Sequence, residues 1–146
     1  MDNQQAKTND EYWFAGFMDG EGCFDFQKMY TKGLKTARYR PRIRVVSTTA
    51  ATLPIVDSIL KEHTAGHHIS WRFPENRRWS PSWEVTVAGY QKGLRMLLWL
   101  TPLLRTKRED AEVLLDFVRA RENKNPKLPY DQHELDLIAK FGSRRR

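Results

Sequence analysis

Hydrophobic and polar positions follow two different periods along this chain. Apolar side chains recur at helical spacing in four segments, which predicts helices over residues 10–19, 49–63, 90–100 and 107–122. Apolar and polar side chains alternate with a period of two in four others, which predicts strands over residues 23–30, 38–45, 67–73 and 82–88. We expect two β-hairpins to form one four-stranded antiparallel sheet whose apolar face is covered by helices, an α+β fold.

Polar residues mark where several of these helices begin. The expected N-caps are Asn9 or Asp10 for the first helix and Thr49 or Thr52 for the second. Asp131 with Glu134 resembles a capping box that opens a last helix. The chain is therefore predicted to be one domain over residues 1–146, with a polar arm at 1–9 and a C-terminal helix and basic tail at 124–146.

The strand at 38–45 carries an arginine at every second position, namely Arg38, Arg40, Arg42 and Arg44. An extended strand places these four guanidinium groups on one face and an apolar row on the other. Pro41 cannot donate a hydrogen bond to a neighbouring strand, which predicts an edge strand or an irregular one. Because four like charges in a row repel unless an anion lies opposite, we expect this face to contact nucleic acid. A solvated strand face is the alternative.

Composition favours the same kind of partner. Lys and Arg outnumber Asp and Glu by 25 to 18, giving a net charge of +7, which favours a polyanion. The single cysteine, Cys23, excludes an internal disulfide, and we expect an intracellular, reducing compartment. No apolar run reaches the length of a membrane span and the polar start is not typical of a signal peptide, so we expect no membrane partner.

The first predicted helix has two different apolar faces. Phe14, Phe17 and Met18 share the face expected to enter the core. The opposite face is small enough for another backbone to approach closely, and it consists of Tyr12, Ala15, Gly16 and Asp19. Gly20 and Gly22 are expected to end the helix, so that the carboxylate of Glu21 is held by backbone.

Residues 14–22 read Phe-Ala-Gly-Phe-Met-Asp-Gly-Glu-Gly, which resembles the signature of the LAGLIDADG homing endonucleases position for position. Glu21 stands where the family has its second Asp. In that family this acid binds the catalytic metal, and the carbonyl of the preceding residue, here Gly20, assists. The resemblance covers about residues 11–121, whose element order matches the family's αββαββα unit with its saddle-shaped sheet. A core helix that ends in a solvated Glu21 is the alternative.

One copy of this signature implies a homodimer, with the motif helices packed along Tyr12, Ala15, Gly16 and Asp19. Two carboxylates brought close together repel, so the resemblance implies a divalent metal, Mg²⁺, with Mn²⁺ or Ca²⁺ as substitutes and no small-molecule cofactor. It further implies a site-specific endonuclease, encoded by an intron or other mobile element, that hydrolyses both strands of a long pseudo-palindromic DNA site with a stagger.

The resemblance also suggests residues that assist the reaction. Residues 102–108 are similar to the family's stretch at the start of a helix, and Lys107 falls on its functional lysine. We expect Lys107 to stabilise charge or position water, and a solvated surface lysine is the alternative. The residue that orders water in relatives matches either Ser47 or Thr48, and both side chains are shorter than the usual Gln.

The polar face of the predicted sheet is the expected surface for reading bases. Its members are Asp25, Gln27, Arg38, Arg40, Arg42, Arg44, His68, Ser70, Arg72, Glu84 and Thr86. Arg bonds guanine bidentately, Gln bonds adenine, and Asp or Glu accepts from cytosine. Phosphate contacts are expected from Lys28, Arg77, Arg78 and the tail at 144–146, although a solvated tail is an equal alternative.

Two other functions remain open from the sequence. A maturase that binds intron RNA without cutting DNA would keep the same fold, and a DNA-binding regulator would keep the arginine face. The histidines do not resemble a zinc site, because His67 and His68 are adjacent on a strand and His63 and His133 are separate. Most tryptophans are expected in the core, with Trp79 the exception.

Overall fold

The computed structural model describes residues 3–30, 32–33 and 36–143. Within this part the helices are α1 (Asn3–Glu21), α2 (Leu53–His63), α3 (Tyr90–Leu100), α4 (Arg108–Arg121) and α5 (Gln132–Ser143). The strands are β1 (Gly22–Met29), β2 (Arg38–Ser47), β3 (His68–Arg72) and β4 (Ser82–Ala88). The predicted α+β order is confirmed. The basic tail at 144–146 and part of the predicted turn between β1 and β2 lie outside the described residues.

The four strands form one antiparallel sheet in the order β1-β2-β4-β3. β2 is therefore central, and the prediction of an edge strand from Pro41 was wrong. The carbonyl of Pro41 accepts a hydrogen bond from the amide of Gly89, so its nitrogen faces the same way, just past the end of β4. Its missing N–H consequently leaves no gap in the pairing of β2 with β1.

One face of the sheet and the inner sides of the helices form the core. The largest fully buried side chains are those of Trp83, Phe14, Phe24, Phe117, Met18, Ile43, Leu60, Met96, Leu97, Leu100, Leu104 and Leu114. The opposite face carries the polar side chains of β1, β2, β3 and β4, as the alternation predicts. The helices thus leave one broad polar surface open. No helix in the described part of the chain is both long and apolar enough to cross a membrane.

Helix α1 begins at Asn3, so residues 3–9 are helical and the predicted cap at Asn9 or Asp10 was wrong. The segment contains Gln, Ala and Lys, which favour helices, and no Gly or Pro to interrupt it. Thr52 is the N-cap residue of α2, as predicted, and Thr49 is that of the 3₁₀ turn before it, but neither side chain makes a capping hydrogen bond. A 3₁₀ turn at Ala50–Thr52 leads directly into α2 instead.

The predicted capping box at the start of α5 is confirmed. The amide of Glu134 donates to the Asp131 carboxylate and the amide of Asp131 donates to Glu134, both at 2.8 Å. Glu134 is fully buried, and its carboxylate also pairs with the guanidinium of Arg121 at 3.3 Å. This ion pair ties α5 to α4.

The expectation that most tryptophans are in the core was wrong for two of them. Trp83 is buried and Trp99 packs against the core, but Trp13 and Trp71 are exposed, as Trp79 is. Trp71 lies on edge strand β3, whose residues pair with β4 and are mostly exposed.

Candidate nucleic-acid interface and active site

Helix α1 ends against the open face of the sheet, and this junction carries the predicted acid. Glu21 is the last helical residue and is exposed. Gly22 begins β1, and a side chain there would meet the backbone carbonyl of Met18 at 2.7 Å. The chain therefore passes directly from helix to strand only because residue 22 is glycine. The acid is thereby held on backbone at the edge of the polar face.

Glu21 opens onto a cavity of about 450 Å³ on the polar face of the sheet. The other lining residues are Cys23, Arg44, Val46, Ser70, Trp71, Arg72, Ser82 and Glu84. The carboxylate therefore shares one concave surface with arginines of β2 and β3. A polyanion lying along that surface comes within reach of the acid.

Asp19, which was predicted to line a dimer interface, makes two hydrogen bonds within its own protomer. Its two carboxylate oxygens accept from the amides of Arg105 and Lys107, at 2.9 and 3.1 Å. This contact joins the last turns of α1 to the loop that starts α4. Asp19 thereby fixes the backbone position of Lys107, and its place in a dimer interface stays a prediction.

Lys107 is brought to the end of α1 by this contact. It is half-buried, and its ammonium group donates to the carbonyl of Gly22, next to Glu21 in the chain. The structure therefore places a cation and an exposed carboxylate at the same end of the motif helix. The role of Lys107 in stabilising charge or positioning water stays a prediction.

Ser47 and Thr48, the two candidates for ordering water, lie at the end of β2 and just after it. The hydroxyl of Ser47 accepts from the amide of Thr49 at 3.0 Å, which closes the end of β2. Thr48 is exposed and lines a separate cavity with Arg72 and Trp79. Neither residue lines the cavity that contains Glu21.

The arginine row of β2 is organised by partners on β1. Arg42 donates through Nε and Nη2 to the two oxygens of Asp25, at 2.8 and 2.7 Å, and Arg44 lies 3.6 Å from the same carboxylate. Arg40 donates through Nε to Gln27 at 2.6 Å. Hydrogen bonding to Asp25 raises the pKa of Arg42 above its usual range. Asp25, predicted to read bases, is instead buried beneath the arginines.

Arg38 is also placed differently from the expectation. Its guanidinium donates to the carbonyls of Leu128 and Lys127, at 2.9 and 2.6 Å, and lies over the ring of Tyr130. These contacts fasten the segment before α5 to the start of β2. Arg38 therefore stabilises the fold. The other three arginines of the row, Arg40, Arg42 and Arg44, line the cavities on the polar face.

Two residues at this face were not predicted from the sequence to belong to it. A cavity of about 500 Å³ around Arg40 and Arg42 is also lined by His67 and Lys92. The ring of His67 is 2.6 Å from Asp57, and hydrogen bonds from His67 and Lys61 lower the pKa of that carboxyl. Lys92 belongs to α3, and no periodicity in the sequence links that helix to the polar face.

The remaining residues that were predicted to contact DNA lie on the edge strands β1 and β3 and in the loop before β4. His68, Ser70 and Arg72 follow one side of β3, and they pair in register with Thr86, Glu84 and Ser82 of β4. Arg77 and Arg78 are exposed in the loop before β4, where the side chain of Asn76 accepts from the amide of Arg78. Lys28 lies over the ring of Tyr30, and a hydrogen bond to the Tyr30 side chain raises the pKa of Lys28 above its usual value.

The outer face of α1 is only partly as expected. Tyr12 is 61% exposed and Gly16 is exposed, with nothing within 4 Å of a side chain added at Gly16. Ala15 is buried inside its own protomer, which corrects its assignment to an interface. In the described residues, His, Cys, Asp and Glu side chains form no group of three that could hold a metal ion.

Sequence comparison identifies a family for more than half of this chain. The family described as "PI-PfuI Endonuclease subdomain" matches residues 2–79, which include the motif helix and the arginine strand. No curated protein matches the sequence.

Solved structures of homing endonucleases share the fold. I-CvuI in complex with its target in the presence of 2 mM Ca superposes with a TM-score of 0.68 at 22% identity, covering 94% of this chain and 83% of that one. The meganuclease I-SmaMI, bound to uncleaveable DNA, gives 0.69 at 16% identity, covering 93% and 44%. The group I intron-encoded I-CeuI, complexed with DNA, gives 0.61 at 13%, covering 79% and 56%.

The matched segment carries the signature at residues 14–22, and the fold agrees with the structures that superpose. The chain therefore belongs to the LAGLIDADG homing endonuclease family.

Proposed function

We propose that this protein is a homodimeric, divalent-metal-dependent endonuclease that cuts both strands of a long pseudo-palindromic DNA site. The observation that carries the proposal is the exposed carboxylate of Glu21, which opens onto the arginine-lined face at the same end of α1 that the ammonium of Lys107 contacts. Related structures such as those of I-CvuI and I-CeuI contain DNA. A regulator that only bound DNA would need the arginines but not an acid held at this position.

The homodimer rests on the outer face of α1. Glycine inside a helix costs about 1 kcal/mol relative to alanine, yet a side chain at Gly16 or Gly20 would meet nothing in this protomer. These glycines lie one turn apart on the face that exposes Tyr12, and close approach of a second backbone explains them. One copy also covers only 44% of I-SmaMI.

Exposed aromatic side chains extend this face. The ring of Trp13 stacks on that of Phe17, with 5.3 Å between the ring centres. The ring of Phe17 in turn lies 6.4 Å from that of buried Trp83. Trp83 pairs across the sheet with Trp71 of β3, which is exposed. Large exposed apolar side chains grouped in this way are typical of a surface that a partner covers. In the proposed dimer a second α1 covers it and brings the two copies of Glu21 together.

The oxygen donors at the end of α1 fit Mg²⁺. The carboxylate of Glu21 is a hard ligand, and the carbonyl of Gly20 lies in the last turn, where carbonyls have no partner within the helix. Mg²⁺ is commonly held by one or two carboxylates together with substrate phosphate, so a cluster of protein ligands is unnecessary. When bound, the metal supplies polarisation of the phosphate and a more acidic water. The Ca²⁺ and Mg²⁺ in structures of I-CvuI are consistent with this choice.

The residues of the chain would share the remaining work of hydrolysis. Water attacks phosphorus and the bond to the 3′-oxygen breaks, so negative charge grows on the phosphate and on the leaving oxygen. The ammonium of Lys107 is held where it can stabilise that charge. The arginines of β2 hold the duplex along the sheet, which fixes the position of the scissile bond.

The proposal predicts Mg²⁺-dependent cuts at discrete sites. A library of randomised and intron-insertion-site duplexes is incubated with the protein, with and without Mg²⁺, and the ends are sequenced. We expect paired cuts, staggered about a two-fold centre, that disappear without the metal. DNA that is bound but never cut would overturn the nuclease proposal, and intron RNA would then be tested as the ligand of a maturase.

Asp19→Asn is expected to slow cleavage about 10- to 100-fold, because Lys107 loses the contact that positions it. DNA affinity measured with Ca²⁺ should change little. The measurement is a single-turnover rate for Asp19→Asn, Lys107→Met and the double variant. If Asp19 acts through Lys107, the double variant is no slower than Lys107→Met alone. If the double variant is instead slowed by the product of the two single factors, Asp19 does not act through Lys107.

A further inference from the structure

The side chains of β1 hold those of β2 in a way that limits what each arginine can contact. Asp25 lies directly opposite Arg42 in the register, and Gln27 lies opposite Arg40. In both pairs the β1 side chain accepts from Nε, along one edge of the guanidinium. The tips of the arginines remain at the cavity of about 500 Å³ on the polar face, which Gln27, Arg40 and Arg42 line.

The Asp25–Arg42 pair is the more rigid of the two. Asp25 is only 5% exposed, and its carboxylate takes two donors from Arg42 and lies near Nη2 of Arg44 at 3.6 Å. A buried carboxylate without these partners would carry a large desolvation cost, so the arrangement is strongly favoured. Arg42 keeps 23% of its side chain exposed. The guanidinium is therefore held by one edge and accessible at another.

We propose that Asp25 is a positioning residue that presents Arg42 to a guanine in each half of the DNA site. A guanidinium has five N–H donors, and Asp25 takes the one on Nε and one on Nη2. Three donors remain, two on Nη1 and one on Nη2, and one from each of these nitrogens forms the second fork of the group. This deepens the proposed function and rests on it, since it assigns a base to the surface that binds DNA.

Guanine fits this fork better than the other bases do. It presents two acceptors, N7 and O6, in the major groove, which match two parallel N–H donors. Adenine replaces one acceptor by an amino donor, which leaves a donor of Arg42 facing another donor. Asp25 is 5% exposed and already accepts two hydrogen bonds from Arg42, so it is poorly placed to accept from cytosine, the role expected from its residue type. Holding Arg42 in advance lowers the entropy lost when the base is bound.

The Gln27–Arg40 pair provides an internal comparison along the same strand. Arg40 and Arg42 are two residues apart, which is about 6.7 Å in a strand, while base pairs are about 3.4 Å apart along the duplex. A ribbon that follows the groove therefore sets the two arginines about two base pairs apart. Loss of Gln27 should affect a base pair at that spacing from the one read by Arg42.

The test is selection of bound duplexes from a randomised DNA library in Ca²⁺, so that binding is read without cleavage. The variants are Asp25→Asn, which removes the acceptor charge, and Arg42→Lys, which keeps a cation beside Asp25 but lacks the fork. Asp116→Asn makes the same charge change on the exposed side of α4 and is the matched control. Gln27→Leu tests the neighbouring pair.

The wild-type protein should prefer guanine at one position of each half-site by about 5- to 150-fold over other bases. Asp25→Asn and Arg42→Lys should both reduce that preference to within about threefold of none, at the same base pair, whereas Asp116→Asn retains it. Affinity of Asp25→Asn for random duplex should stay equal or rise, because the surface gains positive charge. Gln27→Leu should relax a base pair about two positions away.

Two results would overturn the assignment of Arg42 to guanine while leaving the proposed function intact. One is a selected site that keeps its guanine in Asp25→Asn, and the other is a loss of affinity spread evenly over all sequences, which is the behaviour of a phosphate contact. Arg42→Lys retains the partner of the buried carboxylate, so it decides the question if Asp25→Asn fails to fold. Failure of the wild-type protein to select any sequence would instead overturn the proposed function, and with it this assignment.

Discussion

Glu21→Gln is expected to slow cleavage by about a thousandfold or more, with DNA affinity within about threefold of the wild-type value. Gln has the size of Glu but lacks its charge, so it binds Mg²⁺ poorly while leaving α1 intact. The side chain is exposed at the edge of the polar face, and no packing in the described residues depends on its charge. Cleavage is measured as a single-turnover rate with Mg²⁺, and affinity by gel shift with Ca²⁺.

Glu112→Gln is the matched control for this experiment. Glu112 is exposed on α4, where its contact with Arg108 is 4.0 Å long, so the same loss of charge should leave both rate and affinity unchanged. Cutting by Glu21→Gln at more than about a tenth of the wild-type rate would show that Glu21 does not bind the catalytic metal. Equal losses of binding and cutting would mean that Glu21 acts in assembly.

Arg121→Ala is expected to lower the free energy of unfolding by about 3–5 kcal/mol. Arg121 is 7% exposed and Glu134 is fully buried, so the substitution leaves a carboxylate buried without its main partner. It also removes donors from the carbonyls of Asn125, Pro126 and Leu128. The melting temperature should fall by about 6–20 °C, as measured by calorimetry or circular dichroism.

Arg119→Ala provides the comparison on the same helix. Arg119 is exposed in the last turn of α4, and its loss should change the free energy of unfolding by less than about 0.5 kcal/mol. A change below about 1 kcal/mol in Arg121→Ala would contradict the buried pair, because Lys124, 3.7 Å from Glu134, is too exposed to replace Arg121 fully. Attachment of α5 also matters for β2, whose Arg38 donates to the segment between α4 and α5.

Local patterns predicted the elements well because each depends on neighbours in the chain. A period of two identified all four strands, and the arginines of β2 lie on one face as the alternation requires. The capping box of Asp131 and Glu134 involves residues three apart and was predicted correctly. The motif helix likewise buries Phe14 and Met18, as its helical spacing indicated.

Predictions failed where the answer depends on a distant segment. Pro41 looked like an edge residue, but β4 ends beside it, so a central strand tolerates it. Asp25 looked available for reading a base, yet it is buried and its carboxylate pairs with Arg42 of the neighbouring strand. The guanidinium of Arg38 donates to backbone carbonyls about 90 positions away in the chain. Residue type alone does not identify these partners.

The sequence by itself determined the motif helix with its acid, the two faces of the strands and the family to which the chain belongs. These follow from the spacing of side chains within single elements, which backbone geometry fixes locally. Only the tertiary structure decided the order of the strands, the joining of α1 to the start of α4, and which arginines remain open to a partner. Those outcomes depend on which distant groups satisfy one another's charges and hydrogen bonds when the chain packs, and no local period encodes that choice.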